Sequence, residues 1–311
     1  MMRNKLIAIV GPTASGKTSL GISLAVRLNG EIVSADSVQV YRGMDIGSAK
    51  PSAEEQSIVP HHMIDVVTPD APYNVSLFSY QARQTIKDIH ARNKLPIVVG
   101  GTGLYVSAIL RDMNFTDSKP DYAYRAQLEQ IARQNGNAAL HAMLREKDEA
   151  SALAIHPNNK KRVIRALEIY HQSGQRMSEQ NGRIHDRPIQ YDATVIGLDV
   201  QREILYQRID QRADEMLQAG LLHEVKVLTK EYGLDCIAFS ALGYQQLIQY
   251  LKAEIAYDDA VAMIKRETRR FSKRQMTWFK RDPLVRWVQA GERGGACIED
   301  QIMDILRIKE C

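Results

Sequence analysis

One octapeptide near the start of the chain limits what the chain can fold into. Leu6-Ile7-Ala8-Ile9-Val10 is a short, β-branched apolar run, and it ends in Gly11-Pro12-Thr13-Ala14-Ser15-Gly16-Lys17-Thr18. Those eight residues fit G-x-x-x-x-G-K-[ST] at every fixed position. Leu20, Leu24 and Leu28 then recur at helical spacing. Strand, glycine loop and helix thus stand in the order a phosphate-binding loop requires. The two glycines release the backbone, so loop amides and the helix N-terminus can face an anion. Lys17 adds a point charge, and the Thr18 hydroxyl is placed to ligate Mg²⁺. A turn that binds nothing is the alternative, and the complete motif in this context disfavours it. The motif does not name its ligand: ATP or GTP is the default, and a diphosphate on another carrier satisfies the same amides.

Further strands are expected at Glu31-Ile32-Val33-Ser34-Ala35-Asp36, Met63-Ile64-Asp65-Val66-Val67, Lys94-Leu95-Pro96-Ile97-Val98-Val99 and Ala193-Thr194-Val195-Ile196-Gly197-Leu198, with a helix over 75–92. The alternation predicts an α/β fold with a parallel sheet covered on both faces. Ligands of such sheets sit at the carboxyl ends of the strands. Residues 11–18, Asp36 and the glycine turn Gly100-Gly101-Thr102 all fall at that edge. Residues 43–51, polar with two glycines and closed by Pro51, read as a functional loop. From 122 to 177 only helical periodicity is present, which predicts a helical insertion. The core is therefore assigned to 1–114 and 190–311, with C-terminal helices through about 281, and the insertion to 115–189.

Asp36 has two readings, a Mg²⁺ ligand or a general base at the phosphate site. Asp65 competes for the metal role. No apolar strand ends in the acid of an ordinary ATPase, which disfavours simple ATP hydrolysis. The net charge of +4 says little. Its distribution says more, because basic residues cluster at Lys160, Lys161, Arg162 and Arg165, and again at 265–281. Phe271, Trp278 and Phe279 interleave with the second cluster, and the pair of clusters favours nucleic-acid contact over a solvated helix face. Trp278 and Phe279 themselves are read as helix packing. Cys236, Cys297 and Cys311 are odd in number and scattered, which points to a reducing compartment and against a zinc site. No run of about 18 apolar residues predicts a membrane span, and the N-terminus has no signal-peptide core.

The motifs together, with Asp36-Ser37-Val38-Gln39-Val40-Tyr41, Gly43-Met44-Asp45-Ile46-Gly47-Ser48-Ala49-Lys50-Pro51, Gly100-Gly101-Thr102-Gly103-Leu104-Tyr105, Ile155-His156-Pro157-Asn158 and Lys273-Arg274-Gln275-Met276-Thr277-Trp278-Phe279, carry a resemblance. Over roughly residues 5–290 the chain resembles the bacterial tRNA dimethylallyltransferases, also called tRNA isopentenylpyrophosphate transferases. The resemblance implies a P-loop, nucleotide-kinase-like core with a helical insertion that contacts tRNA. It implies transfer of a dimethylallyl group from its diphosphate to N6 of adenosine 37 in tRNA. By the same resemblance, Gly11, Pro12, Thr13, Ala14, Ser15, Gly16, Lys17 and Thr18 hold the diphosphate. Thr18 ligates Mg²⁺, Asp36 is the catalytic base, and Arg212 joins Lys17 and Thr18 on the leaving group. Asp36, Ser37, Val38 and Gln39 contact the target nucleotide. Thr102, Arg125, Lys161, Arg162, Val163, Ile164 and Arg165 contact tRNA. The expected partners are the anticodon stem-loop of tRNA and dimethylallyl diphosphate, with no membrane, for a cytoplasmic monomer. Three other readings stand beside it: a small-molecule kinase, an adenylate isopentenyltransferase and a non-enzymatic RNA-binding module. The basic clusters and the missing acidic strand count against the first, the full insertion against the second, and Asp36 beside a complete phosphate loop against the third.

Overall fold

The computed structural model describes residues 4–113, 121–180, 184–290 and 295–307. In chain order the strands are β1 (Lys5–Val10), β2 (Gly30–Ser34), β3 (His61–His62), β4 (Leu95–Gly100), β5 (Asp192–Asp199) and β6 (Val285–Gln289). The helices before the insertion are α1 (Lys17–Arg27), α2 (Ala53–Ile58), α3 (Val75–Ala91) and α4 (Gly103–Leu110). Next come α5 (Tyr122–Lys147), α6 (Glu149–Ala154), α7 (Lys160–Ser173) and α8 (Met177–Gln180). The chain ends with α9 (Arg202–Gln218), α10 (Leu221–Tyr232), α11 (Tyr244–Leu251), α12 (Tyr257–Phe279) and α13 (Gly295–Arg307).

The chain divides into two compact units, Met1–Asp112 with Ile189–Cys311, and Met113–Pro188. The expected boundary at 114/115 lies outside the described residues. The first unit holds one six-stranded sheet in the order β3-β2-β4-β1-β5-β6, with every pairing parallel. Parallel strands are buried on both faces, which is why β1 and β4 carry consecutive apolar residues, Leu6–Val10 and Leu95–Val99, instead of alternating ones. Two apolar clusters cover the sheet. Ala8, Val33 and Val98 face α3, α4 and the C-terminal helices, while Ile7, Ile32 and Ile97 face α1 and α13. Adjacent strand residues point to opposite faces, so each strand feeds both clusters.

One expected strand does not form, and one strand that was not expected is present. Met63-Ile64-Asp65-Val66-Val67 is not a strand: pairing with β2 stops at His62, and Met63 and Asp65 adopt φ of 63° and 53°. Left-handed residues cannot extend a ladder, so the segment turns back and only Val67 bridges Tyr41. After α12, Val285–Gln289 adds β6 beside β5, and Ile302 of α13 is fully buried against the sheet.

The core unit closes where the insertion leaves it. Arg111 bridges Ile189 in antiparallel sense, and the Gln190 amide donates to the Leu110 carbonyl at 2.9 Å. Arg111 is 1% exposed, and its guanidinium binds the Asp282 carboxylate at 2.7 Å.

The second unit is all helical among the described residues. Leu128, Leu140, Leu144, Val163 and Leu167 form its apolar centre. α5 breaks at Gly136, whose φ is 81°. Beside that centre lies the fully buried carboxylate of Glu168. It takes two bonds from Arg125, at 2.7 and 2.8 Å, one from Arg165 at 2.6 Å and one from the Asp121 amide at 2.9 Å. Burial works to raise the Glu168 pKa, but the two guanidiniums more than offset it and hold the carboxyl below its ordinary range.

Candidate active site

The phosphate loop follows β1, the strand between β4 and β5, and turns into α1. Gly16 caps α1 with a left-handed φ of 89°, and Gly11 has a φ of 149°. A Cβ on Gly11 would also meet the Leu198 carbonyl oxygen at 3.1 Å. Ala14 is left-handed as well, at φ 62°. Alternating signs of φ of this kind turn successive amides to one side and form an anion-binding nest.

Two cations share this loop with a single carboxylate. Lys17 Nζ donates to the Pro12 carbonyl at 2.5 Å. Burial, then the nearby charge of Arg212, pushes the Lys17 pKa down to about 7, with Asp36 pulling the other way. Burial likewise lowers the pKa of Arg212, against the pull of Asp36. A site that suppresses its own cations in this way has an electrostatic demand for an anion. Arg212 reaches it from α9, far along the chain, because α9 packs against α12 over the strand ends.

Asp36 stands just past β2. Its Oδ1 accepts the Val38 amide at 2.8 Å and the Gln39 amide at 3.4 Å, which fixes the carboxylate's direction. No described residue hydrogen-bonds its Oδ2. Thr102 holds the neighbouring strand end to it. The Ser37 amide donates to Thr102 Oγ1 at 3.1 Å, and the Thr102 amide donates to the Ala35 carbonyl at 3.2 Å. Gly100 lies between these ends because a Cβ there would stand 2.3 Å from the Ala35 oxygen.

Two spaces open on these groups. A narrow recess of about 100 Å³ is lined by Thr13, Lys17, Thr18, Asp36 and Arg212 among others. A larger cavity of about 810 Å³ is walled by Tyr41, Tyr73, Tyr105, Met216, Met263 and Phe271 among others. Asp36 and Arg212 line both, so this carboxylate and this guanidinium stand where the recess meets the cavity. The larger volume is in the range of sites that enclose a small organic ligand.

The expected residues divide accordingly. Thr13, Lys17, Thr18, Asp36 and Arg212 are brought together in the recess; Ser37, Val38 and Thr102 line the cavity. Gln39 lines the recess, where its Oε1 accepts from the Ser34 hydroxyl at 2.8 Å and its Nε2 donates to the Ala49 carbonyl at 3.2 Å. It ties β2 to the 43–51 loop. Asp65 is not in either space. Its carboxylate is paired with Lys50 at 2.6 Å, and Lys50 also holds Asp45, so Asp65 is withdrawn as a metal candidate. In the second unit, Lys161 and Arg162 are exposed, Arg125 and Arg165 are engaged by Glu168, and Val163 and Ile164 are buried. The run 161–165 therefore presents two free cations to solvent, and the side chains of Val163 and Ile164 are spent on packing.

Two residues of the site went unread in the sequence. Gln275, on α12, accepts the Thr13 amide at 2.9 Å and donates to the Gly101 carbonyl at 3.0 Å, which clamps the phosphate loop to the glycine turn. Its one signal is a neutral amide in the middle of a basic helix. Glu224, on α10, accepts the amides of Asp45, Ile46 and Gly47 at 3.0, 2.7 and 3.1 Å, and the Tyr244 hydroxyl at 2.6 Å. It anchors the loop that supplies Gly47, Ser48 and Ala49 to the cavity wall.

The donor set suits a Mg²⁺ ion. One hydroxyl, Thr18, and one carboxylate, Asp36, are few protein oxygens, and Mg²⁺ characteristically completes its shell with waters and substrate phosphates. Among the described residues no cluster of three or more His, Cys, Asp or Glu forms an all-protein metal cage. No described helix is long and apolar enough to cross a membrane.

A family model described as IPP transferase matches residues 39–282, and one described as isopentenyl transferase matches residues 4–64. The chain is 46% identical over 302 residues to a tRNA dimethylallyltransferase of Carboxydothermus hydrogenoformans, covering 97% of each. It is 47% identical over 287 residues to the protein of that name from Geobacillus thermodenitrificans, covering 92% of this chain and 90% of the other. Among solved structures it is similar to a full-length tRNA isopentenylpyrophosphate transferase from Bacillus halodurans, with TM-score 0.75, 42% identity, and coverage of 99% and 97%. It is also similar to a eukaryotic dimethylallyltransferase acting on tRNA, with TM-score 0.77, 30% identity, and coverage of 93% and 74%.

Proposed function

The chain belongs to the tRNA dimethylallyltransferase family, and from that premise we propose the reaction it carries out and the part of each residue. The dimethylallyl group of dimethylallyl diphosphate passes to N6 of adenosine 37 of tRNA, beside the anticodon, and diphosphate is released. The observation that carries this reading is the position of Asp36 and Arg212, shared by the phosphate recess and the larger cavity. A donor held by its diphosphate in the recess directs its reacting carbon to that junction, and a base in the cavity meets it there.

The N6 lone pair is delocalised into the purine, so the amine is a poor nucleophile. As N6 bonds to the allylic carbon, the carbon–oxygen bond breaks and its electron pair leaves on the diphosphate. Asp36 accepts the proton that N6 sheds. Its orientation is set beforehand by the Val38 amide. Charge growing on the leaving oxygen is met by the loop amides, Lys17 and Arg212, which are fixed before reaction. A Mg²⁺ ion, if held by the Thr18 hydroxyl together with the diphosphate, would supply further positive charge to the leaving group. The tyrosine and methionine wall gives the prenyl chain an apolar surface. An adenosine can reach the cavity only when it is splayed out of its stack. Lys161 and Arg162, exposed on the insertion, are assigned to the anticodon stem-loop, with Arg125 and Arg165 held by Glu168 beside them, and the protein to a monomer acting in the cytoplasm with its tRNA.

Labelled dimethylallyl diphosphate incubated with unmodified tRNA should yield N6-dimethylallyl adenosine on nucleoside analysis. Phosphate transfer from ATP to a small acceptor, with no prenylated nucleoside, would replace this reading by a kinase. Asp36→Asn keeps the shape and lowers single-turnover transfer by roughly 10²–10⁴ if the carboxylate is the base. Rescue of that variant by raised Mg²⁺, with weakened donor binding, would make Asp36 a metal ligand only.

A further inference from the structure

Two adjacent histidines make up the edge strand β3, and adjacent strand residues point to opposite faces. His61 is in register with Ile32, and His62 with Val33. Val33 faces α3, and on that side His62 Nε2 meets the Glu31 carboxylate at 2.7 Å, where Arg92 also binds at 2.6 Å. His62 is thereby committed to the sheet edge. Ile32 faces α1, the helix that begins at the phosphate loop. His61 points to that same side and lines the phosphate recess with Lys17, Thr18 and Asp36.

The state of the His61 ring follows from its one bond. Nδ1 lies 2.8 Å from the Val59 carbonyl oxygen. A carbonyl only accepts, so Nδ1 carries the proton, and in the neutral ring Nε2 carries a lone pair. Burial, the largest influence, holds the His61 pKa below its ordinary value, against the Val59 hydrogen bond and the charge of Glu55, so the ring is uncharged near neutrality. Nε2 is closed to bulk water, and no described residue hydrogen-bonds it. A buried acceptor without a donor is costly, and the protein donors around the recess are already used. The Ser34 hydroxyl donates to Gln39 Oε1 at 2.8 Å, Gln39 Nε2 to the Ala49 carbonyl at 3.2 Å, and Gln275 Nε2 to the Gly101 carbonyl at 3.0 Å. A diphosphate brings oxygens that accept, and these cannot satisfy a lone pair. A Mg²⁺ ion brings waters that donate, and it keeps several of them when bound. An imidazole whose Nδ1–H is fixed on a backbone carbonyl is also the arrangement by which proteins orient a histidine toward a metal site.

We propose that His61 is a positioning residue of the divalent-cation site: its Nε2 accepts a hydrogen bond from a water of the Mg²⁺ shell, and so orients the ion held by Thr18 and the diphosphate. The proposal rests on the donor-binding part of the reading given above, and it adds to the site a group outside the phosphate-loop motif. His61 touches neither the prenyl carbon nor the RNA, and it acts only through the ion's water.

The test uses the full-length protein with inorganic diphosphate and needs no RNA. With isotope-labelled imidazole nitrogens, His61 Nε2 should give a lone-pair resonance in the free protein. That resonance should move upfield when Mg²⁺ and diphosphate are added together, and not with diphosphate alone. Mn²⁺ uptake in the presence of diphosphate is followed by loss of the free ion's electron paramagnetic resonance signal. It should be about tenfold weaker in His61→Leu, the lower end of what such outer contacts contribute to metal affinity. His61→Gln, whose amide oxygen is an acceptor at similar reach, should regain most of it. Diphosphate binding with EDTA present should be the same in all three proteins. A protonated Nε2 on diphosphate binding, with metal-free diphosphate affinity lost in His61→Leu, would make His61 an anion contact and overturn the proposal. An equal loss in the Leu and Gln variants overturns it too, as does a resonance that does not move, which decides the matter even if His61→Leu fails to fold. If the unsubstituted protein takes up no Mn²⁺ with diphosphate, the donor-site reading itself has failed, and His61 with it. Normal uptake that His61→Leu leaves unchanged refutes the role of His61 alone.

Discussion

Replacing Glu224 should loosen the active-site loop without touching any catalytic group. Its two oxygens take four hydrogen bonds, three from successive amides of the loop and one from Tyr244, at 2.6 to 3.1 Å. A bond to a charged acceptor contributes about 1.5–3 kcal/mol when it is well buried, and about 1 where water can replace the partner. Water can reach part of this loop, so Glu224→Ala, losing all four at the lower value with some recovered by solvent, costs about 2–3 kcal/mol. That lowers the melting midpoint by about 5–10 °C for a unit of this size. Glu224→Gln keeps one carbonyl acceptor but turns an amide donor toward other donors, and should fall between the two. If the loop must also be ordered on binding, about 2 kcal/mol of that cost appears as a roughly 30-fold loss in kcat/KM for tRNA. Differential scanning calorimetry and single-turnover transfer, run on all three proteins, read both effects. Midpoints within about 1 °C of each other, with wild-type transfer rates, would show that the loop holds its shape without the carboxylate.

Other outcomes follow from the same geometry. Lys17, with a pKa of about 7 in the free protein, is largely uncharged at pH 8.5, and a bound diphosphate raises that pKa. Donor binding there should therefore take up close to one proton and weaken as pH climbs above 7; calorimetry in buffers of different ionisation enthalpy measures it, and no uptake refutes it. Gln275→Ala releases the phosphate loop from the Gly101 turn and should weaken donor binding about tenfold, while Gln275→Glu, which cannot donate to the Gly101 carbonyl, should do no better. Lys161→Ala with Arg162→Ala should flatten the salt dependence of tRNA binding. Arg165→Ala should instead lower the stability of the helical unit, because it strips a partner from buried Glu168.

The parts of the site that were legible in the sequence are those whose physics is local. Residues 11–18 declare themselves through spacing alone, and Asp36 and the Gly100 turn through their places at strand ends. Gln275 stands in a motif and as a neutral amide in a basic helix, but its role stayed hidden because its partner, the Thr13 amide, is 262 residues away. Glu224 looks like any acidic residue on a helix surface until the 43–51 loop is laid over it. Met63 and Asp65 sit in an apolar run that reads as strand, and left-handed backbone at non-glycine positions leaves no mark in composition. β6 was missed for a different reason. Val285-Arg-Trp-Val-Gln is five residues long, and it follows a helix whose basic pattern draws the eye past it. Val163 and Ile164 were legible in principle, since α7 buries Val163, Ile164 and Leu167 together, and a strict helical count would have set them apart from Lys161 and Arg162.

The antiparallel bridge from Arg111 to Ile189, and the bond from Gln190 to the Leu110 carbonyl, make the insertion a detachable module. The two chain ends that residues 113–188 connect are already held side by side by the core. Lengthening, shortening or exchanging the excursion between them changes its closure entropy only as the logarithm of its length. Among the described residues, all six strands and every residue lining the recess and the cavity belong to the first unit. Cutting the chain at this point and rejoining it by a short turn, or by a different attachment, should leave the register of all six strands intact.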